Sequence, residues 1–189
     1  VEPHLSGLKL FSAGVIAETD YYSITNSPKK VENPILLTER GDTTTENVVM
    51  AAALSGQTIT IRNASPNYMV QDVCFFLEKL GVKIEGIGTT TLVIHGVDQI
   101  NTDVEYFVSE DPIEAITFVA AALVTNSEFE ITRVPIEFTE LELETLSQMG
   151  AQYEISDEYT SRNNRTRLVD LKIKKSNLHA AKDKLHALP

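Results

Sequence analysis

The chain repeats itself, and that duplication limits its fold more than any single residue does. Ala51-Ala52-Ala53-Leu54 recurs as Ala120-Ala121-Ala122-Leu123, and Leu77-Glu78-Lys79-Leu80-Gly81-Val82 recurs as Leu146-Ser147-Gln148-Met149-Gly150-Ala151, both at a spacing of 69 residues. A fainter third copy, Leu10-Phe11-Ser12-Ala13-Gly14-Val15, puts its glycine 67 residues before Gly81. A chain built from one supersecondary unit must bury each unit's apolar face on a neighbour, so the fold is modular.

The unit can be read from its middle copy. Thr43-Thr44-Thr45-Glu46 is a T-x-x-E capping box, which predicts a helix over roughly 45–54. Gln57 to Arg62 alternates like a half-buried strand, and Ser65-Pro66 offers an N-cap with proline at the first helical position. Val70, Val73, Cys74, Leu77 and Leu80 then follow helical spacing up to Gly81, which fits a left-handed cap. Val82 to Glu85 and Leu92 to His95 form a hairpin around Gly86-Ile87-Gly88-Thr89, and a further strand is expected near Ile35–Leu37. The order is strand, helix, strand, helix, strand, strand. The later copy keeps it: a helix capped by Ser109-Glu110-Asp111-Pro112-Ile113-Glu114 and running to about Val124, a strand over 128–132, a helix over 138–149, and a hairpin of 151–155 with 168–173 around the polar loop 156–167.

Composition removes several function classes. No apolar run is long enough for a membrane span, and the start lacks signal-peptide order, so a cytoplasmic location is the expectation. The single cysteine excludes an intrachain disulfide, and four dispersed histidines give no ligand spacing, so no metal is expected. A net charge of −11 argues against nucleic acid but leaves a small anionic substrate open. Cys74 sits on the apolar stripe of its helix and reads as a packing residue. Gly86-x-Gly88 precedes a strand and reads as a turn. Both ends look cut from something longer.

Thr45-Glu46-Asn47-Val48-Val49-Met50-Ala51-Ala52-Ala53-Leu54 with Thr58-Ile59-Thr60-Ile61-Arg62-Asn63-Ala64 resembles the enolpyruvyl transferase family, in its UDP-sugar branch. The likeness continues through Asp72, Phe76-Leu77, Leu80-Gly81-Val82-Lys83-Ile84, Gly86-x-Gly88-Thr89 and Leu92-x-Ile94-x-Gly96-Val97. Asp111-x-Ile113-Glu114-Ala115-x-Thr117-Phe118-x-Ala120-Ala121-Ala122 extends it further. The resemblance implies an α/β (α+β) fold of repeated βαβαββ units in an inside-out α/β barrel, here incomplete. Residues 1–108 would be the end of one unit plus one full unit of the catalytic domain, and 109–189 the first unit of the second domain. Three of six such units would leave apolar faces for self-association or for a missing segment to cover.

The reaction so implied moves enolpyruvate from phosphoenolpyruvate to the 3-hydroxyl of UDP-N-acetylglucosamine in peptidoglycan precursor synthesis, without a cofactor. The family's catalytic groups would fall upstream of Val1 and downstream of Pro189, so no catalytic residue is expected within the chain, which alone would be inactive. Its UDP-sugar segments align with Val1, Glu2, Pro3 and His4, and with Glu39, Arg40, Gly41, Asp42 and Thr43, while Asp111 becomes an active-site neighbour at the interdomain hinge. Glu39 stands where the family has a lysine, Asp42 adds a second negative charge, and Pro112 replaces an arginine, with Arg40 one position from the lysine's place. The alternatives are a 5-enolpyruvylshikimate-3-phosphate synthase-like enzyme and a non-catalytic binding or assembly module that kept the repeat.

Overall fold

The computed structural model describes residues 2–11, 13–26 and 31–181. The expectations placed on Val1, on Ser12 in the faint third copy and on the end of the chain from 182 onward lie outside the described residues, as do residues 27–30. The chain divides into two compact units that meet in sequence at Tyr106 and Phe107.

The first unit opens with α1 (Glu2–Lys9) and an antiparallel hairpin, β1 (Ala13–Ala17) with β2 (Tyr22–Asn26). A complete repeat follows: β3 (Ile35–Leu36), α2 (Asp42–Ala53), β4 (Thr58–Arg62), α3 (Tyr68–Lys79), β5 (Lys83–Glu85) and β6 (Thr91–His95). Its four strands lie in the order β3-β4-β6-β5, with only β3 and β4 parallel. The βαβαββ order read from the sequence is therefore present. The registers Ile59↔Ile94 and Ile61↔Leu92 put four apolar side chains on one face of the sheet. That face is covered by Val48, Val49, Ala52 and Ala53 of α2 and by Val70, Cys74 and Leu77 of α3. Each large aliphatic side chain buried there contributes about 1.5–3 kcal/mol. Gly96 lets α2 end against the sheet, since a Cβ on it would lie 2.4 Å from the Ala52 carbonyl oxygen.

The second unit contains α4 (Pro112–Val124), β7 (Phe129–Pro135), a 3-10 turn (Ile136–Phe138), α5 (Glu140–Gln148), β8 (Tyr153–Ile155), β9 (Tyr159–Thr160) and β10 (Arg167–Ile173). Its sheet order, β7-β10-β8, is that of β4-β6-β5, so the duplication is structural. Residues 101–110 supply no counterpart of β3. The helix caps Gly41 and Asp111 and the left-handed corners Asn63 (φ 60°) and Arg133 (φ 64°) are 70 residues apart, whereas the left-handed glycines Gly81 and Gly150 are 69 apart. The alanine match of the sequence is thus one position out of structural register, and buried Ala52 corresponds to buried Ala122.

Local details differ from the sequence reading where side chains found other partners. The T-x-x-E box does not close: α2 starts three residues earlier, at Asp42, with Gly41 as N-cap and no side-chain cap bond. The Thr45 hydroxyl instead donates to the Gly41 carbonyl (2.8 Å) and accepts from the Ser65 N–H (3.0 Å). Ser65 is not the N-cap of α3: its hydroxyl donates to Asp42 Oδ1 at 2.5 Å and accepts from the Asn67 N–H (3.2 Å), and Asn67 caps the helix by accepting from the Met69 N–H (3.2 Å). The helix expected over 138–149 divides at Thr139, whose buried hydroxyl donates to the carbonyl oxygens of Pro135 and Ile136. The loop 156–167 contains β9, paired to β10.

Candidate functional site

Helix α1 crosses close to α2 because Gly7 has no side chain: a Cβ there would lie 2.6 Å from Val48 Cγ2. One turn earlier on α1, His4 meets the first turns of α2. Its Nδ1 lies 2.7 Å from Asn47 Nδ2 and its Nε2 3.4 Å from Thr43 Oγ1. Pro3, Ser6, Gly7 and Leu10 line one side of a small cavity of about 120 Å³, and Leu36, Leu37, Thr38 and Thr44 line the other. The structure therefore brings Pro3, His4 and Thr43, from two separate sequence segments, to one helix start. Glu2 is exposed in the first turn of α1.

The charged residues of the second segment are placed in three different ways. Arg40 donates from Nε and Nη2 to Asn63 Oδ1 (3.1 and 3.0 Å), while Asn63 Nδ2 donates to the Leu37 carbonyl (3.0 Å), so the guanidinium is tied to the left-handed corner after β4. Asp42 accepts from Ser65 Oγ at 2.5 Å and from Asn67 Nδ2 at 3.0 Å. Its carboxylate is spent on joining α2 to the α3 start. Glu39 stays exposed, with Oε1 3.5 Å from the place a Gly41 Cβ would occupy, so its charge lies against the N-terminus of α2. Burial raises the Glu46 carboxyl above its ordinary range, and the Asp42 charge one turn earlier raises it further.

In the second unit Asp111 caps α4, its Oδ1 accepting from the N–H groups of Ile113 (2.8 Å) and Glu114 (3.3 Å). It borders a cavity of about 390 Å³ whose wall includes Glu110, Glu114, Phe118, Phe129 and Arg133. Arg133 Nη2 donates to Glu110 Oε1, and the other Glu110 oxygen is buried with no hydrogen-bond partner. The Arg133 N–H is fixed by Tyr159 Oη (3.1 Å) and Asp170 Oδ1 (2.9 Å), at a β-bulge in β10 where Tyr159 also donates to Asp170 at 2.6 Å. Those bonds, Tyr159's first, hold the Asp170 carboxyl below its ordinary range. Burial, then Asp170, raises the Tyr159 phenol.

Sequence reading quoted Asn47 and Asn63 only within the family likeness and gave no site role to them or to Glu110, Arg133, Tyr159 and Asp170. The repeat held a signal for Arg133, which occupies the place of Asn63; its residue type held none, since arginine rarely adopts a left-handed backbone. Cys74 is fully buried, and burial followed by the nearby Glu78 charge pushes its thiol up to about 12, so it is no nucleophile. Among the described residues, no group of three or more His, Cys, Asp or Glu side chains could hold a metal ion, and no helix is long and apolar enough to cross a membrane.

Comparison with known proteins agrees with this architecture. A protein from Hydrogenovibrio crunogenus described as UDP-N-acetylglucosamine 1-carboxyvinyltransferase is 37% identical over 157 residues, 83% of this chain and 37% of that protein. One from Caldanaerobacter subterraneus subsp. tengcongensis, described as UDP-N-acetylglucosamine 1-carboxyvinyltransferase 2, is 33% identical over 174 residues, 90% of this chain and 41% of its own. The crystal structure of the enolpyruvyl transferase NikO from Streptomyces tendae matches the fold with a TM-score of 0.73 at 18% identity, over 92% of this chain and 41% of that one. The chain thus spans about two fifths of the length of these relatives. The family model described as EPSP synthase (3-phosphoshikimate 1-carboxyvinyltransferase) matches residues 1–188, and it establishes that the chain belongs to the EPSP synthase family of enolpyruvyl transferases.

Proposed function

We propose that the chain is the central part of an enzyme that transfers enolpyruvate from phosphoenolpyruvate to the 3-hydroxyl of UDP-N-acetylglucosamine, in the cytoplasm, for peptidoglycan precursor synthesis. The observation that carries this reading is the identity of 33% and 37%, over most of the chain, to proteins described as carboxyvinyltransferases of that sugar nucleotide. The convergence of Pro3, His4 and Thr43 at the α2 start supports a nucleotide-binding role for the segments Val1–His4 and Glu39–Thr43. A helix N-terminus offers unpaired N–H groups to an anion, Thr43 adds a hydroxyl, and Arg40 adds a fixed cation one position from the family's lysine. The Asp42 carboxylate is hydrogen-bonded by Ser65 and Asn67 but keeps its negative charge.

In this reading the first compact unit belongs to one domain and the second opens the other, with Asp111 a neighbour of the active site. The catalytic groups come from the rest of the protein. Apolar side chains left on α4, where Ile113 and Val124 are 62% and 83% exposed, are the faces that further repeats or a second copy cover.

One observation favours a second reading. Glu39 places a charge at the helix start where a diphosphate would dock, which suits a non-catalytic module that kept the repeat and lost the site. The test is to incubate the full-length protein with phosphoenolpyruvate and either UDP-N-acetylglucosamine or shikimate 3-phosphate and weigh the products. Enolpyruvyl-UDP-N-acetylglucosamine supports the first reading, modified shikimate 3-phosphate the sibling activity, and no product from folded protein the binding module.

A further inference from the structure

We propose that Asn47 is a positioning residue of the nucleotide site, holding the His4 imidazole in the tautomer that carries its proton on Nε2. This deepens the proposed function and rests on it. Thr43 and Asn47 are four residues apart on α2 and so share one face, turned to α1. The separation of the two helices is fixed by Gly7, one turn beyond His4, against Val48. Within that frame the Asn47 amide nitrogen lies 2.7 Å from His4 Nδ1, and an amide nitrogen can only donate. Nδ1 must then present its lone pair, which leaves the ring proton on Nε2, pointing to the Thr43 side of the helix start.

The contact from Nε2 to Thr43 Oγ1 is long, at 3.4 Å, so this N–H is available to an acceptor oxygen of the ligand. The other side-chain donors there are the Thr43 hydroxyl and the Arg40 guanidinium, which is tethered to Asn63, while Glu39 contributes an acceptor only. A His4 ring in the other tautomer would aim a lone pair at the oxygens of a nucleoside diphosphate sugar. The order of the residues matters for this: Asn47 acts through His4 and touches no substrate itself.

The experiment uses the full-length protein with ¹⁵N-labelled histidine, compared with Asn47→Ala, Asn47→Asp and the double variant His4→Ala/Asn47→Asp. Nitrogen shifts identify the His4 tautomer, and titration and steady-state kinetics with UDP-N-acetylglucosamine give its Kd, KM and kcat. The expected result is the Nε2–H tautomer in the parent protein and the Nδ1–H tautomer in Asn47→Asp, whose carboxylate must accept. Loss of one ligand hydrogen bond should raise KM about tenfold in Asn47→Asp with kcat nearly unchanged, and less in Asn47→Ala. In the His4→Ala background Asn47→Asp should add little, since its effect passes through the imidazole. A penalty that persists there is charge repulsion from the new carboxylate and overturns the proposal, as does an Nδ1–H tautomer in the parent protein. If the parent protein shows the Nε2–H tautomer yet binds no UDP-N-acetylglucosamine, the functional reading fails and takes the nucleotide role of Asn47 with it.

Discussion

Gly7, Glu46, Cys74 and Asp170 each make a claim that a single substitution or titration can check. Gly7→Ala drives a methyl into Val48, and should cost about 1–3 kcal/mol in urea unfolding while moving α1 off α2. Glu46→Gln removes a like-charge pair with Asp42 at i, i+4, and should stabilise by about 0.2–0.5 kcal/mol near neutral pH. Its benefit should fade in acid, where Glu46 takes up a proton. The Cys74 thiol, pushed up to about 12, is ionised to the order of one part in ten thousand at pH 8, so a disulfide reagent should label it only after unfolding. Asp170 shows the opposite sign to Glu46. Its folded pKa lies below the unfolded value of about 3.9, so its contribution is complete above that pH and is lost as pH falls through the folded value. The stability gap between the parent protein and Asp170→Ala should therefore close below about pH 4.

At the scale of elements, what could be read in the sequence followed from periodicity, and what could not followed from competition between partners. The apolar spacing of Val70, Val73, Cys74, Leu77 and Leu80 announced α3, and the Thr/Ile alternation announced β4, because those patterns report burial on one face. Capping chemistry was less legible. Thr43, Thr45 and Glu46 spelled a local box, but Thr45 serves Ser65 from twenty residues away and Asp42 takes both Ser65 and Asn67. A local motif cannot show a tertiary competitor. The same holds for the site, where Pro3, His4 and Thr43 were marked through the family likeness, but Asn47 and Asn63 became visible only once α1 and the β4 corner were placed. The Asp42 tether is testable as an element: Asp42→Ala removes two hydrogen bonds to a charged group and should cost about 1.5–3 kcal/mol, with faster hydrogen exchange in the first turns of both α2 and α3.

Across the whole molecule, the duplication is a repeat of topology with the first strand absent from its second copy. Each unit has its own buried cluster, one around Ile59, Ile61, Leu92 and Ile94, the other around Val134, Val169, Leu171 and Ile173. Each also leaves apolar side chains in water, among them Tyr22 and Ile24 of the β1–β2 hairpin and Ile113 and Val124 of α4. Expressed alone, the chain should self-associate in sedimentation experiments, and Ile113→Glu with Val124→Lys should reduce association without lowering stability. The central claim is that these units form part of a transferase acting on UDP-N-acetylglucosamine. The most direct measurement is steady-state release of phosphate from phosphoenolpyruvate by the full-length protein, with and without that acceptor. Release that depends on UDP-N-acetylglucosamine is the predicted result; folded protein that releases none, or releases it only with shikimate 3-phosphate, would contradict it.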